Sequence, residues 1–243
     1  MSLVFGHHSV RAVLADDPGR VRVFYVQKGR PDERTGELLT IAKANGLRIE
    51  SVERRWLDSR VDGSHQGVAV DCQAMQLASE AELELRWPTF GPAPLLLILD
   101  GVTDPRNLGA CLRSAAGAGV DAVLVPKRGS APVNEVVQKT AAGALPGLFL
   151  VEVSNLARRM KWLAQQGVWM YGTDDQATLS WAQADYSGAV AFVLGNEAKG
   201  LRALTREHCD HLVSIPMAGS VASLNVAVAT GVVLFEAVRQ RQQ

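Results

Sequence analysis

From Leu95 onward, uninterrupted apolar runs alternate with amphipathic stretches. "LLLILDG" predicts a buried strand, "NLGACLRSAAGAG" a helix, "DAVLVP" a strand, "NEVVQKTAAGA" a helix and "LFLVEV" a strand. "LARRMKWLAQQG" continues as a helix, "VWMYGTD" and "AVAFVLGNE" as strands, "HLVSIPM" as the last strand and "SLNVAVATGVVLFEAVRQRQ" as the last helix. Strands that are apolar at every position, separated by helices, predict an α/β fold whose mostly parallel sheet is covered on both faces.

The pattern before Leu95 is shorter in period. "HSVRAVLAD" reads as an amphipathic helix, "VRVFYVQ" as a strand and "DERTGELLTIAKANG" as a helix stopped by Gly46. "RIESVE" and "QGVAVDC" read as two further strands. "QAMQLASEAELELRWPTFGPAP" then breaks the pattern with three glutamates and three prolines, with room for a short helix inside it. The expected organisation is a small α/β domain over residues 1–75, a linker over 76–93 and a larger α/β domain over 94–243.

Composition changes this picture little. Lys plus Arg and Asp plus Glu both number 25 in 243 residues, so the total carries no basic footprint. Residues 1–60 are modestly basic through Arg11, Arg20, Arg22, Lys28, Arg30, Arg34, Lys43, Arg48, Arg54, Arg55 and Arg60. That cluster fits a solvated surface or an RNA-facing patch. Cys72, Cys111 and Cys209 are odd in number and widely spaced, which points to a reducing compartment rather than to disulfides or zinc. The five histidines are scattered, so no metal is expected. The start lacks a signal-peptide pattern and the longest apolar run falls short of a membrane span, so a cytoplasmic protein without membrane contact is expected.

In open parallel sheets ligands bind beyond the carboxyl ends of the strands. Three such ends carry polar or glycine-rich sequence here: 100–107, 195–200 and 216–225. No GxGxxG follows the first strand and no GxxxxGK[ST] occurs, which weakens dinucleotide and P-loop readings. In "NLGACLR", Gly109 and Arg113 lie four apart on one helix face, and Arg113 leans back across Gly109 toward Asn107. Gly109 could serve close helix packing with Arg113 a surface cation, or the guanidinium could be set for a phosphate. Ser223 reads as the N-cap of the last helix, with Asn225 in its first turn. "FVLGNEAKGL" ends an apolar strand on Gly195, Asn196 and Glu197, and a turn alone does not need that carboxylate.

"NLGACLR", "VLGNEAKGL" and "IPMAGSVASLNVAVATGVVLFEA" occur in the order of the three motifs of the SpoU (TrmH-like) class of SPOUT RNA 2′-O-ribose methyltransferases, which the chain resembles from Leu95 to the C-terminus. "FGHHSVRAVL" and "SHQGVAV" are similar to the L30e-like RNA-binding domain of the same enzymes, nearest the branch acting on a guanosine of 23S ribosomal RNA. The resemblance implies an α/β knot, a homodimer, S-adenosylmethionine as cofactor and RNA as substrate. It implies cofactor contacts from Gly195, Asn196, Ile215 and Leu224, with Thr173 and Met217 close by. Gly195 would let the cofactor approach the main chain, and Gly200 would let the loop turn away. Arg113 is implied as the base or as an electrostatic stabiliser, Glu197 as a proton acceptor or an orienting group, and Asn107, Ser223 and Asn225 as orienting groups. The same chemistry on transfer RNA, and a noncatalytic RNA-binding assembly factor, are the alternatives.

Overall fold

The computed structural model describes residues 2–29, 31–61, 63–73 and 77–242. Arg30 of the basic cluster and the junction expected near residue 75 lie outside them. The chain divides into two compact units, residues 1–76 with 133–135 and residues 77–132 with 136–243.

The first unit holds β1 (Ser2–Phe5), α1 (His7–Asp16), β2 (Val21–Gln27), α2 (Glu33–Ala44), β3 (Ile49–Val52), α3 (Arg54–Asp58) and β4 (Val68–Cys72). Its sheet runs in the order β1-β4-β2-β3. β4 is antiparallel to both neighbours, and β2 and β3 are parallel. β1 is an addition to the elements expected from sequence; at four residues it is too short to show a period. One face is closed by Val10, Leu14, Leu38 and Ala42 from α1 and α2, packed on Phe24, Val68 and Val70. The other carries a smaller cluster around Tyr25, Leu57 and Trp56. The basic residues are largely occupied here: Arg11 pairs with Glu37, Arg22 with Asp71, Lys28 with Glu53, Arg48 with Glu50 and Arg54 with Asp58. Arg60 lies 4.2 Å over the Trp56 ring.

The second unit contains α4 (Glu80–Arg86), β5 (Leu95–Asp100), α5 (Pro105–Gly117), β6 (Ala122–Pro126), α6 (Glu135–Ala141), β7 (Leu150–Val153) and α7 (Leu156–Gln165). It continues with β8 (Trp169–Thr173), β9 (Leu179–Ser180), β10 (Val190–Gly195), α8 (Ala203–Glu207), β11 (His211–Ser214) and α9 (Val226–Arg241). The seven strands run β7-β6-β5-β10-β8-β11-β9, and every pairing is parallel. Every residue of β5 is buried, as is β10 up to Leu194, because the two strands lie side by side in the middle of the sheet. From β5 the strand order runs outward through β6 and β7, and the chain then returns to build β8, β10 and β11 on the other side. The carboxyl ends of β5, β10 and β8 thus flank the point where the winding reverses, which is where a parallel sheet leaves a crevice.

Two helices bring their first turns to that crevice. Asp104 caps α5, its carboxylate accepting from the Arg106 N–H at 2.6 Å, with Pro105 at the first helical position. Asn225, not Ser223, caps α9: its Oδ1 accepts from the Ala227 N–H at 2.9 Å. An asparagine cap keeps an amide N–H₂ free to point elsewhere, which a serine would not. The far end of α9 is fixed by Arg241, which donates to the carbonyls of Ala93, Tyr186 and Gly188, and by Gln240, which spans the Ala184 carbonyl and the Tyr186 N–H. α5 and α6 meet through Gly109, where an added Cβ would stand 2.7 Å from both Thr140 Cβ and the Val137 carbonyl oxygen. Close packing is therefore what this glycine serves.

The stretch read as a linker carries its own structure. Ala78 makes a parallel bridge to Val151, and Ser79 and Glu82 form a reciprocal capping box for α4. Glu80 accepts hydrogen bonds from the Ser154 hydroxyl and N–H and from Arg159 Nε and Nη2 at 3.0 and 2.8 Å. Burial pushes the Glu80 carboxyl up, but the Ser154 and Arg159 bonds outweigh it and hold it down at about 2. A carboxylate lowered in the folded state stabilises the fold above its unfolded pKa of 4.5, and that contribution is lost as pH falls toward 2. Glu80→Gln should therefore cost on the order of 2 kcal/mol near neutral pH. In chemical denaturation at several pH values, the gap between wild type and variant should close as pH drops through this window.

Candidate active site

The polar strand ends and helix starts border one cleft of about 640 Å³. The turn after β10 forms its floor. Asn196 and Gly200 exchange backbone hydrogen bonds of 3.0 and 2.9 Å, closing a three-residue loop, and Gly200 supplies the left-handed conformation with φ +66°. Asn196 Oδ1 accepts from the N–H groups of Ala198 and Lys199 at 3.0 and 3.1 Å, an Asx turn that stiffens the loop. The loop folds back tightly on Gly195, where an added Cβ would fall 2.2 Å from the Gly200 carbonyl carbon. Gly195 is thus required by the return of its own loop, before any ligand approaches it.

Above this floor runs a chain of side-chain hydrogen bonds. Asn225 Nδ2 donates to Asn107 Oδ1 at 2.9 Å, and Asn107 Nδ2 donates to Glu197 Oε1 at 3.1 Å. Asn196 Nδ2 donates to Glu197 Oε2 at 3.3 Å and to the Gly101 carbonyl at 2.8 Å. An ionised carboxylate can only accept, which sets the orientation of the Asn107 amide, and that in turn sets Asn225. Residues up to 118 positions apart meet in this way, and the exposed carboxylate keeps lone pairs for a further donor.

The walls differ in character. Leu194, Val213, Ile215, Met217, Leu224 and Val226 give an apolar side, suited to a flat ring or an alkyl chain. Thr173, at the end of β8, and Asp174, Asp175 and Gln176 just beyond it add polar groups to the lining. Asp174 pairs with Arg206 and accepts from the Gln176 N–H at 2.8 Å. The residues taken from sequence as Asn107, Thr173, Gly195, Asn196, Glu197, Ile215, Met217, Ser223, Leu224 and Asn225 all line this one cleft. Arg113 does not line it: it is exposed on α5, and the bare face of Gly109 is filled by α6. Asp174 and Arg206 were missed, since nothing at a separation of 32 residues marks the pair before the sheet is assembled.

Burial pushes the thiol of Cys111 up to about 11 and that of Cys209 to about 12, so neither offers a thiolate near neutral pH. Among the described residues no group of three or more His, Cys, Asp or Glu side chains is arranged to hold a metal ion. Nor is any helix among them long and apolar enough to cross a membrane.

The model of the SpoU rRNA methylase family matches residues 94–235, and that of the RNA 2′-O ribose methyltransferase substrate-binding family matches residues 3–78. A protein of Pseudomonas syringae named 23S rRNA (guanosine-2′-O-)-methyltransferase RlmB is 51% identical over 239 residues, covering 98% of this chain and 95% of its own. The protein of the same name from Pseudomonas putida is 49% identical, with 98% and 96% coverage. Among solved structures, the SpoU methyltransferase AviRb of Streptomyces viridochromogenes in complex with the cofactor AdoMet superposes with a TM-score of 0.79 at 29% identity, covering 99% of this chain and 90% of its own. A TrmH/SpoU tRNA modifying enzyme of A. aeolicus aligns with only 67% of this chain, at a TM-score of 0.57. With both family models matched in order and near-complete coverage at about half identity, the chain belongs to the SpoU rRNA methylase family.

Proposed function

We propose that this protein transfers a methyl group from S-adenosylmethionine to the ribose 2′-oxygen of a guanosine in 23S ribosomal RNA, in the peptidyl-transferase loop. The observation that carries this reading is the Asn225–Asn107–Glu197–Asn196 chain, which sets a carboxylate into a cleft with both apolar and polar walls at the ends of the central strands. The relatives' names and the full-length match favour ribosomal over transfer RNA.

The cleft suits the cofactor. Its apolar wall fits the adenine and methionyl carbons, and Asp174 and Asp175 complement a cation. When bound, S-adenosylmethionine supplies a methyl group on a sulfonium, already activated for displacement. The remaining work falls to the protein: alignment of the 2′-oxygen and removal of its proton. Glu197, held at both oxygens by amides, is placed to accept that proton. Asn107 and Asn225 fix its rotamer. Ser223, on the loop before α9, orients the entering ribose.

Arg113 acts from outside its own chain's cleft. Phe235 and Val228 are exposed large apolar residues one helical stripe apart on α9, and Phe235 lies against Gly117 of α5. α5 thus carries the exposed Arg113 beside an apolar stripe, an arrangement that a homodimer would cover. In that assembly Arg113 of the partner subunit reaches the open side of the cleft and stabilises the RNA phosphate and the developing alkoxide. A guanidinium stays protonated at accessible pH, so this electrostatic role is favoured over that of base. Residues 1–75 dock the RNA, which must present an unpaired, splayed nucleotide for its ribose to enter.

Radiolabelled methyl transfer to 23S ribosomal RNA, with mapping of 2′-O-methyl sites in cells with and without the protein, tests the activity; a site on another RNA or no site at all would refute it. Glu197→Gln should lower kcat by about 100-fold or more while leaving the cofactor Kd nearly unchanged. Arg113→Ala and Glu197→Gln proteins, each nearly inactive alone, should regain measurable activity when mixed and allowed to exchange subunits. A mixture as inactive as its components would argue against a site shared between two chains.

A further inference from the structure

The end of β5 holds a charged residue that the cleft chemistry leaves unused. Asp100 is fully buried and stands beside Gly195 in the parallel register of β5 and β10. It does not line the cleft. Its Oδ2 accepts from the backbone N–H of Arg202 at 3.0 Å. Its Oδ1 is sealed from solvent and takes no hydrogen bond among the described residues, with Arg202 Nη1 3.4 Å away. The next residue, Gly101, receives Asn196 Nδ2 on its carbonyl at 2.8 Å. Two consecutive residues of a buried strand end therefore tie down both ends of segment 196–202, the segment that carries Glu197.

The seat of the Arg202 guanidinium is cut into the backbone. A Cβ on Gly129 would lie 2.7 Å from Nη2, and one on Gly101 3.1 Å from it; both glycines have positive φ, +80° and +85°. The cation is half exposed while its carboxylate partner is fully buried. A buried carboxylate with an unfilled acceptor site is a poor source of stability, and an apolar residue of similar size would serve the core better. What the carboxylate provides is a fixed anchor at the Arg202 end of a loop whose other end is held by Asn196 on Gly101 and Asn107 on Glu197.

We propose that Asp100 is a positioning residue for the cofactor-binding turn, setting through Arg202 and Gly101 where Asn196 and Glu197 stand at the cleft. This rests on the reading of the cleft as the S-adenosylmethionine site. Asp100→Asn preserves volume and an acceptor but removes the charge opposite the guanidinium. Arg202→Gln preserves the backbone N–H and removes the cation.

The test is calorimetric titration of S-adenosylmethionine into wild-type protein, Asp100→Asn, Arg202→Gln and the double variant, with thermal midpoints and steady-state kinetics alongside. Both single variants should remain folded and bind cofactor more weakly, Asp100→Asn on the order of 10-fold or more. The KM for cofactor should rise more than kcat falls, the KM for RNA should not move, and the double variant should be no worse than Asp100→Asn alone. A folded Asp100→Asn with wild-type cofactor affinity, whatever its thermal midpoint, overturns the proposal. Should Asp100→Asn not fold, wild-type affinity in Arg202→Gln overturns it equally. Wild-type protein that binds no S-adenosylmethionine overturns the reading of the cleft and this proposal with it, whereas wild-type binding with unaltered variants overturns this proposal alone.

Discussion

The parallel pairing of β5 with β10 is the constraint on which the site depends. Six residue pairs in register, from Val190 beside Leu95 to Gly195 beside Asp100, bring the two strands to their carboxyl ends together. Everything that meets the cleft is measured from that shared edge. A slip of one residue would exchange the side chains of β10 between the two buried faces of the sheet and carry Asn196 and Glu197 away from Asn107. The burial of all of β5, and of β10 up to Leu194, makes such a slip costly, so a polar constellation on loops inherits the precision of an apolar core.

Around that edge, polar groups hold one another rather than being held by packing. The amide–carboxylate chain from Asn225 to Gly101 joins α9, α5, the turn after β10 and the end of β5. Each link is a modest hydrogen bond at a partly wet surface, on the order of 1 kcal/mol net. Their value lies in geometry: each amide has one end committed, so the carboxylate is left with a single orientation. Anchoring of α9 at its opposite end by Arg241 and Gln240 keeps the Asn225 end from drifting.

The arginine of the first motif occupies a different position in this scheme. Arg113 lies on the exposed side of α5, while the cleft-facing start of that helix presents Asn107. Helix periodicity put Arg113 on the face of Gly109, and that face is filled by α6. The neighbouring α9 exposes Val228 and Phe235, and Phe235 lies against Gly117 of α5. A single chain thus presents a carboxylate-bearing cleft and, elsewhere, an exposed cation.

The alternation of apolar runs was enough to determine the α/β class, the parallel sheet and the strand ends at which polar residues collect, because burial on both faces leaves its mark residue by residue. The three motifs were enough to name the family and nine of the cleft's residues, because they are local strings. Short elements such as β1 and β9 left no period to read. Which residue caps α9 was decided by the tertiary structure, since an asparagine that also reaches Asn107 fits there and a serine does not. So was the reason for Gly195, which its own returning loop requires, and for Gly109, which α6 requires. The pairing of Asp174 with Arg206 and of Asp100 with Arg202 depends on which strand ends and loops become neighbours. Pattern along a chain records how each residue faces water; it does not record which distant residue faces it.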